Sequence, residues 1–171
     1  MQNIGLIAKQ GYKYVFVLGL LLLLALVLGV CQILFFVLFA LCVFWFRNPE
    51  RALGSDDAYA VLSPIDGKIK SIDKIYYFDT QCVAITIRKG VFDAGALRAP
   101  CDMELLEAKQ RHGLFLCNAM EASKNLNERA LFICKNLDNK FAIRIIAGPL
   151  SKGISFENFS RLKAGRRFGF L

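Results

Sequence analysis

Residues 131–145 read LFICKNLDNKFAIRI, two short apolar runs on either side of a polar segment. Apolar residues alternate with other residues in 141–145, a period of two that is typical of a half-buried β-strand. The polar segment contains Asp138 and Asn139, residues that favour turns. The stretch therefore predicts two strands separated by a turn.

The same pattern recurs along the C-terminal two thirds of the chain. Residues 84–88 alternate clearly and residues 68–72 more weakly, while 63–67, 147–149 and 163–165 have turn composition. Residues 104–111 fit either a short helix or a long strand, and 121–129 fit a helical turn or a polar loop. About 120 residues of short strands predict one mainly-β domain, a β-sandwich or an open barrel, over residues 59–171.

The N-terminal third is different, because Val15–Phe46 contains no charged residue and Gln32 is its one clearly polar side chain. An apolar run longer than about 18 residues predicts a membrane segment. It is too long for the apolar region of a signal peptide, and it ends in Phe44-Trp45-Phe46 as at a membrane interface. We expect a polar lead at 1–13, a membrane segment at 14–46 and a linker at 47–58.

Two geometries fit this segment. A single helix over Val15–Phe46 would be about 48 Å long, against a hydrocarbon core of about 30 Å, and would have to tilt. A hairpin bent near Gly29 and Gln32 would have arms too short for full crossings and would dip into the bilayer. Basic residues flank both ends of the run: Lys9, Lys13, Arg47 and Arg51. Such symmetry suits a hairpin with both ends in the cytoplasm, and it predicts a cytoplasmic (inner) membrane location with the β domain facing the cytoplasm.

The charge of the chain points to an anionic partner. The formal net charge is +8, and residues 52–171 hold 18 Lys and Arg against 13 Asp and Glu. A basic domain next to a membrane segment favours membrane lipids, anionic phospholipid in particular. Nucleic acid is the rival for a basic domain, but no nucleic-acid motif is present, so none is expected as a partner.

The cysteine and histidine content argues against a metal site. The six cysteines include no C-x-x-C pair, and His112 is the one histidine, so zinc has few ligands to draw on and no metal is expected. The four cysteines beyond the apolar run lie among apolar residues. They are expected to be buried reduced thiols, as in a cytoplasmic domain.

Several strings, in order, resemble the short-type bacterial phosphatidylserine decarboxylases, which depend on a pyruvoyl group. They extend from the end of the apolar run to the last residue: Phe44–Arg51 (FWFRNPER), Ser63–Lys68 (SPIDGK), Phe92–Pro100 (FDAGALRAP), Asn127–Arg129 (NER), Ile146–Gly148 (IAG) and Lys163–Gly169 (KAGRRFG). The resemblance implies a role in phospholipid biosynthesis, the conversion of phosphatidylserine to phosphatidylethanolamine. The S-P-x-D-G string and the terminal glycines also resemble the edges of lipoyl-type β-sandwiches.

The resemblance also implies site residues and a cofactor. Asp66 would be the carboxylate that assists self-cleavage, and Arg98 and Arg129 would bind the substrate carboxylate or phosphate in a forked contact. Asp93 is expected to be structural. An amino-acid decarboxylase needs an electrophilic electron sink. The family makes its sink, a pyruvoyl group, from the serine of a Gly-Ser.

Two departures from the family pattern limit these expectations. The sequence stops at Leu171 before the expected Gly-Ser, which suits a processed larger chain, a truncated chain or a chain that never makes the cofactor. Gly95 stands where the family has the histidine of D-V-H, and His112 is a weak substitute.

The expected function is therefore phosphatidylserine decarboxylase-like, with the chain alone inactive. A separate smaller pyruvoyl chain is a further candidate partner. The alternative is a non-catalytic homologue that binds anionic lipid or a partner protein at the membrane.

Overall fold

The structure is a computed structural model that describes residues 7–8, 11–49, 60–77, 80–117, 120, 122–149, 151 and 153–171. The chain divides into two compact units, residues 1–50 and 51–171. Most of the predicted lead and linker, including the flanking charges Lys9 and Arg51, lies outside the described residues.

The apolar run forms two helices rather than one. Helix α1 is Tyr12–Leu28 and helix α2 is Gln32–Trp45. Between them Gly29 has φ +70° and Cys31 has φ +51°, left-handed conformations that end one helix and redirect the chain. The bend lies where Gly29 and Gln32 predicted it.

The two helices are held together at the open end of this hairpin. The rings of Tyr14 and Phe46 stack with centroids 5.6 Å apart, and the Ala8 amide donates to the Phe46 carbonyl at 2.9 Å. At 1.5 Å per residue the helices are about 26 and 21 Å long. In the described part of the chain, no helix combines the length and the apolarity that a bilayer crossing requires.

Within its described residues, the second unit contains nine strands and one short helix. In chain order these are β1 (Lys68–Tyr77), β2 (Thr80–Arg88), β3 (Ala96–Arg98), β4 (Met103–Arg111), α3 (Ser123–Leu126), β5 (Arg129–Asn136), β6 (Asn139–Ile146), β7 (Ser155–Phe156), β8 (Arg161–Leu162) and β9 (Arg167–Phe170). Strands β1 and β2 form a two-stranded ribbon. The other strands form a three-stranded sheet of order β3-β9-β7 and a four-stranded sheet of order β6-β5-β4-β8.

One hydrophobic core is shared by the three- and four-stranded sheets. Strand β5 alternates strictly, so that Ala130, Phe132 and Cys134 point inward and are buried. Phe132 makes edge-on contacts with Phe156 and Phe168, its ring centroid 5.0 and 5.4 Å from theirs. The prediction of a mainly-β domain is confirmed, and the two sheets share one core as a sandwich or open barrel requires.

The finer sequence predictions are largely confirmed. Residues 104–111 form strand β4 rather than a helix, and the helical turn expected within 121–129 is α3. The turn between β5 and β6 lies at 137–138. The expectation of uniformly buried cysteines is wrong. Cys101 and Cys134 are buried, Cys82 is half-buried and Cys117 is exposed, because Cys117 follows β4 in an irregular segment outside the sheet.

Candidate active-site region at the end of strand β9

The C-terminal strand β9 lies between β3 and β7. Phe170 pairs with Ala96 on one side and with Ser155 on the other. One residue further, the Leu171 amide donates to the Gly95 carbonyl at 2.8 Å. By the same antiparallel register, Ile154 follows opposite Leu171 on the β7 side. The end of β9 therefore gathers three segments that are distant in sequence.

Gly95 packs directly against this end of β9. A Cβ atom at position 95 would lie 2.3 Å from the Leu171 carbonyl oxygen and 3.0 Å from the Phe170 ring. A side chain fits this space only if the segment that follows β9 moves. Position 95 therefore lacks the imidazole that the resemblance implies, and Gly95 itself has no side chain that could carry a proton.

A buried carboxylate lies next to the same segments on the β7 side. Glu128 is 5 % exposed, and its Oε1 accepts from Gln110 Nε2 at 2.8 Å and from the Ile154 amide at 3.4 Å. Gln110 Nε2 also donates to the Ile154 carbonyl at 3.1 Å. Glu128 thus ties β4 to the chain segment that leads into β7.

His112 belongs to this same cluster. Its Nδ1 lies 3.5 Å from Glu128 Oε1, and its side chain is 88 % exposed. The fold therefore brings His112 to a carboxylate that bonds Ile154, the residue opposite Leu171. The His112–Glu128 pair is a candidate proton-handling group on the solvent side of this region. A catalytic role for His112 remains a prediction.

Asn127, next to Glu128, holds the surrounding backbone. Its Nδ2 donates to the Leu116 and Ala147 carbonyls at 2.9 and 2.8 Å, and its Oδ1 accepts from the Leu116 amide at 2.8 Å. The amide is 2 % exposed. All three contacts satisfy buried main-chain groups, so Asn127 is a structural residue.

Residues 62–66 run along the edge of β3 that does not pair with β9. The Leu62 amide donates to the Pro100 carbonyl at 2.7 Å, and the Arg98 amide donates to the Pro64 carbonyl at 2.9 Å. This antiparallel course leads the chain from Pro64 and Asp66 toward the Gly95 end of β3. A processing role for Asp66 stays a prediction. Asp93 accepts from the Gly90 amide at 2.7 Å, the structural turn contact expected of it.

The two predicted substrate arginines lie on different sheets. Arg98 is half-buried on β3, and its guanidinium donates to the Gly165 carbonyl at 3.4 Å. Arg129 opens β5, and its guanidinium donates to the Asn125 carbonyl within α3. Arg98 ends β3, and Gly95 directly precedes this strand, so the two residues are about 10 Å apart along the chain. The function of the two arginines in substrate binding stays a prediction.

Sequence reasoning chose Arg129 from the Asn-Glu-Arg string and missed the two residues before it. Asn127 and Glu128 are buried, whereas the Arg129 guanidinium bonds at the surface. A signal was present, because two polar residues directly precede a strand whose alternate residues are apolar. Among the described residues, no three His, Cys, Asp or Glu side chains converge as a metal site would.

Comparison with known proteins identifies a family and several relatives that this chain resembles. A family model described as phosphatidylserine decarboxylase matches residues 38–171. The chain is 33 % identical over 169 residues to a phosphatidylserine decarboxylase proenzyme of Carboxydothermus hydrogenoformans, covering 95 % of this chain and 79 % of that protein. It is 28 % identical over 173 residues to the proenzyme of that name from Syntrophotalea carbinolica, covering 96 % and 80 %.

Proposed function

The chain belongs to the phosphatidylserine decarboxylase family, and from this premise we propose that it binds an anionic phospholipid headgroup at a membrane surface without decarboxylating it by its own residues. Phosphatidylserine, the substrate named for the relatives, is the proposed ligand. The observation that carries the proposal is the packing of Gly95 against Leu171.

Loss of carbon dioxide from an amino acid leaves an electron pair on the α-carbon. An electron sink must accept it, and a proton donor must later reach that carbon. Gly95 cannot donate a proton, and β9 occupies the space that a donor side chain would need. Headgroup binding needs neither the sink nor the donor, and ground-state binding alone does not accelerate the chemical step.

The α1–α2 hairpin is the proposed membrane attachment. Apolar side chains of both helices are exposed, among them Phe16, Val27 and Ile33, each more than 70 %. Arg47 lies over the Phe44 ring at 4.3 Å, an arrangement suited to a membrane–water interface. We place the hairpin in one leaflet of the cytoplasmic membrane, with both ends and the β domain on the cytoplasmic side.

Arg98 is the proposed headgroup contact, because it lies on β3, the strand that Gly95 directly precedes, and a guanidinium matches carboxylate and phosphate geometry. Arg129 is the matched control on the other sheet. Hydrogen bonds to charged groups contribute about 1.5–3 kcal/mol, so Arg98→Gln should weaken binding of a short-chain phosphatidylserine about 10- to 100-fold. Arg129→Gln should change it little. Calorimetric titration of the purified chain in detergent measures both constants.

The absence of decarboxylation is tested directly. The purified full chain is incubated with phosphatidylserine carrying a labelled carboxyl group, and its intact mass is measured. Unmodified mass, retained lipid binding and no labelled carbon dioxide are expected. Release at an enzymatic rate would refute the proposal, and failure to bind any anionic headgroup would refute it independently.

A second candidate function is an active decarboxylase that uses a pyruvoyl group carried by a separate smaller chain. The His112–Glu128 pair favours it, since the pair lies one hydrogen bond from Ile154. If adding such a chain yields labelled carbon dioxide, His112→Gln should lower the rate, while Lys109→Gln, an exposed change on the same strand, should not.

A further inference from the structure

The β1–β2 ribbon has an uncovered apolar face. Pairings such as Ile72 with Ile85 put opposed residues on one side of the ribbon. The side chains of this apolar face are between 55 % and 81 % exposed: Ile69, Ile72, Tyr76, Val83 and Ile85. On the opposite face Tyr77, Cys82 and Ala84 are half-buried, whereas Asp73, Ile75 and Thr86 are exposed. Within the described residues neither strand pairs with another sheet.

The charges of the ribbon are mostly positive. Lys68, Lys70, Lys74 and Arg88 lie on its strands, and Asp73 is the acidic residue of β1 and β2. Asp73 pairs with Ala84, on the face opposite the apolar one, whereas Lys74 pairs with Val83 within the apolar face. A second copy stacked on this face would have to bury Lys74, and taking its charge out of water without an acidic partner is costly.

The base of the ribbon lies next to the candidate active-site region. Lys68 pairs with Arg88, so the two strands meet there. Asp66 and Gly67 lead directly into β1, and the turn from Gly90 to Asp93 leads from β2 toward Gly95. A surface that touches the ribbon would therefore continue to the end of β9, where the proposed headgroup binds.

We propose that the apolar face of the β1–β2 ribbon lies on the headgroup region of an anionic bilayer. Exposed isoleucine, valine and tyrosine side chains enter the interface, while the lysines reach anionic headgroups. The ribbon would thus hold the base of the β domain at the lipid surface, within reach of its ligand. This inference rests on the proposed function in taking the bilayer as the surface that the β domain meets.

Tyr76 and Tyr77 provide a matched test, because they are neighbours on opposite faces. In the full chain with Trp45→Phe, which removes the one native tryptophan, Tyr76→Trp reports the apolar face and Tyr77→Trp the other face. Each protein is reconstituted in vesicles of phosphatidylcholine, with or without phosphatidylglycerol, that contain a brominated lipid. Circular dichroism checks the fold of both variants.

We expect bromine to quench tryptophan at 76 several-fold more strongly than tryptophan at 77. The difference should grow with phosphatidylglycerol and shrink in high salt. Adding Ile72→Asp and Ile85→Asp should abolish it. Equal quenching at both positions, or none, would overturn the proposal.

A blue-shifted but unquenched tryptophan at 76, with emission that depends on protein density in the vesicle, would assign the face to a second copy and also overturn it. Binding of soluble short-chain phosphatidylserine in detergent is measured separately. Headgroup recognition can therefore fail while ribbon contact succeeds, or the reverse.

Discussion

Two antiparallel hairpins of this domain have similar sequence patterns and different environments. Strand β5 contains a continuous apolar run at 130–134, strand β6 alternates between apolar and other residues, and one face of the pair is buried in the core. Strands β1 and β2 alternate as β6 does, yet Ile72 and Ile85 face outward. In both hairpins the side chains of each strand point alternately to two faces.

The difference shows what alternation leaves undetermined. The sequence pattern of a strand predicts that one face is apolar, but it does not say which neighbouring element packs against that face. Strand β5 has its cover in the aromatic cluster around Phe132, which includes Phe168 of β9. For the ribbon, within the described residues, the cover of the apolar face is not a strand. Equivalent changes in the two hairpins should therefore have very different effects on stability and on reactivity.

The largest contrast is expected in thiol reactivity. Cys134 of β5 is fully buried and Cys82 of β2 is half-buried. Alkylation of Cys134 must await unfolding of the core, so it should be roughly a thousandfold slower or more than that of Cys82. Peptide mapping by mass spectrometry measures both rates. Comparable rates at both thiols would show that β5 is not in a stable core.

The titration of Cys134 adds a pH dependence. Burial raises the pKa of the Cys134 thiol from 9.0 to about 11. Between about pH 9 and 11 the native chain keeps a proton that the unfolded chain has lost, so stability should fall as pH rises through this window. Cys134→Ala should flatten that part of the stability profile. An unchanged slope would contradict the shift.

The next contrast is between the stability lost when a core side chain is truncated and the stability lost when a ribbon side chain is truncated. Phe132→Ala removes a fully buried ring and should lower the free energy of unfolding by about 3–5 kcal/mol. Tyr76→Ala on the apolar face of the ribbon is the matched aromatic truncation and should cost far less, because the Tyr76 side chain is exposed. Urea unfolding in detergent measures both. A similar cost for the two would mean that the ribbon face is covered in solution.

A third comparison is between the loss of buried polar contacts, at Glu128, and the loss of an exposed ion pair. Glu128→Leu leaves the Ile154 amide without its side-chain acceptor, removes one of the two acceptors of Gln110 and should cost about 1–3 kcal/mol. Glu107→Leu removes an exposed ion pair with Lys109 and should stay within about 1 kcal/mol. Amide exchange at Ile154 should accelerate in the first variant alone. Unaltered exchange there would remove Glu128 from the support of β7.

The smallest change in the free energy of unfolding is expected for substitutions on the apolar face of the ribbon. Ile72→Thr and Ile85→Thr keep β-branched residues in the strand and expose no core. In detergent each should change the free energy of unfolding by no more than about 0.5 kcal/mol. A larger loss in either variant would indicate that the ribbon face packs against protein.

The sequence was sufficient for the elements but not for their assembly. A short apolar run predicted β5, alternation predicted β6, and turn residues predicted the break between them. Gly29 and Gln32 predicted the bend between α1 and α2. These signals succeed because they act between near neighbours. The His112–Glu128 contact joins residues 16 apart, and the packing of Gly95 against Leu171 joins residues 76 apart. Such contacts depend on sheet order, which period-two patterns do not encode.

The choice of buried residue also depends on assembly. Arg129 was selected from the Asn-Glu-Arg string because a guanidinium suits an anionic ligand, and no role was assigned to Asn127 or Glu128. Their burial follows from the backbone segments around Leu116, Ala147 and Ile154 that close over them. The sequence pattern of one strand does not predict which three distant segments pack over these residues.

The close approach of Leu171 to Gly95 has an evolutionary consequence. With the Leu171 carbonyl oxygen in the place of a Cβ atom, a histidine cannot be introduced at position 95 by one substitution without displacing the segment that follows β9. A shift of that segment has to come first. Position 95 is therefore closed to single-step substitution, and the residues it can carry are tied to the far end of the sequence. Gly95→His should unfold at lower urea than the parent chain, and an equally stable variant would show that position 95 is not constrained in this way.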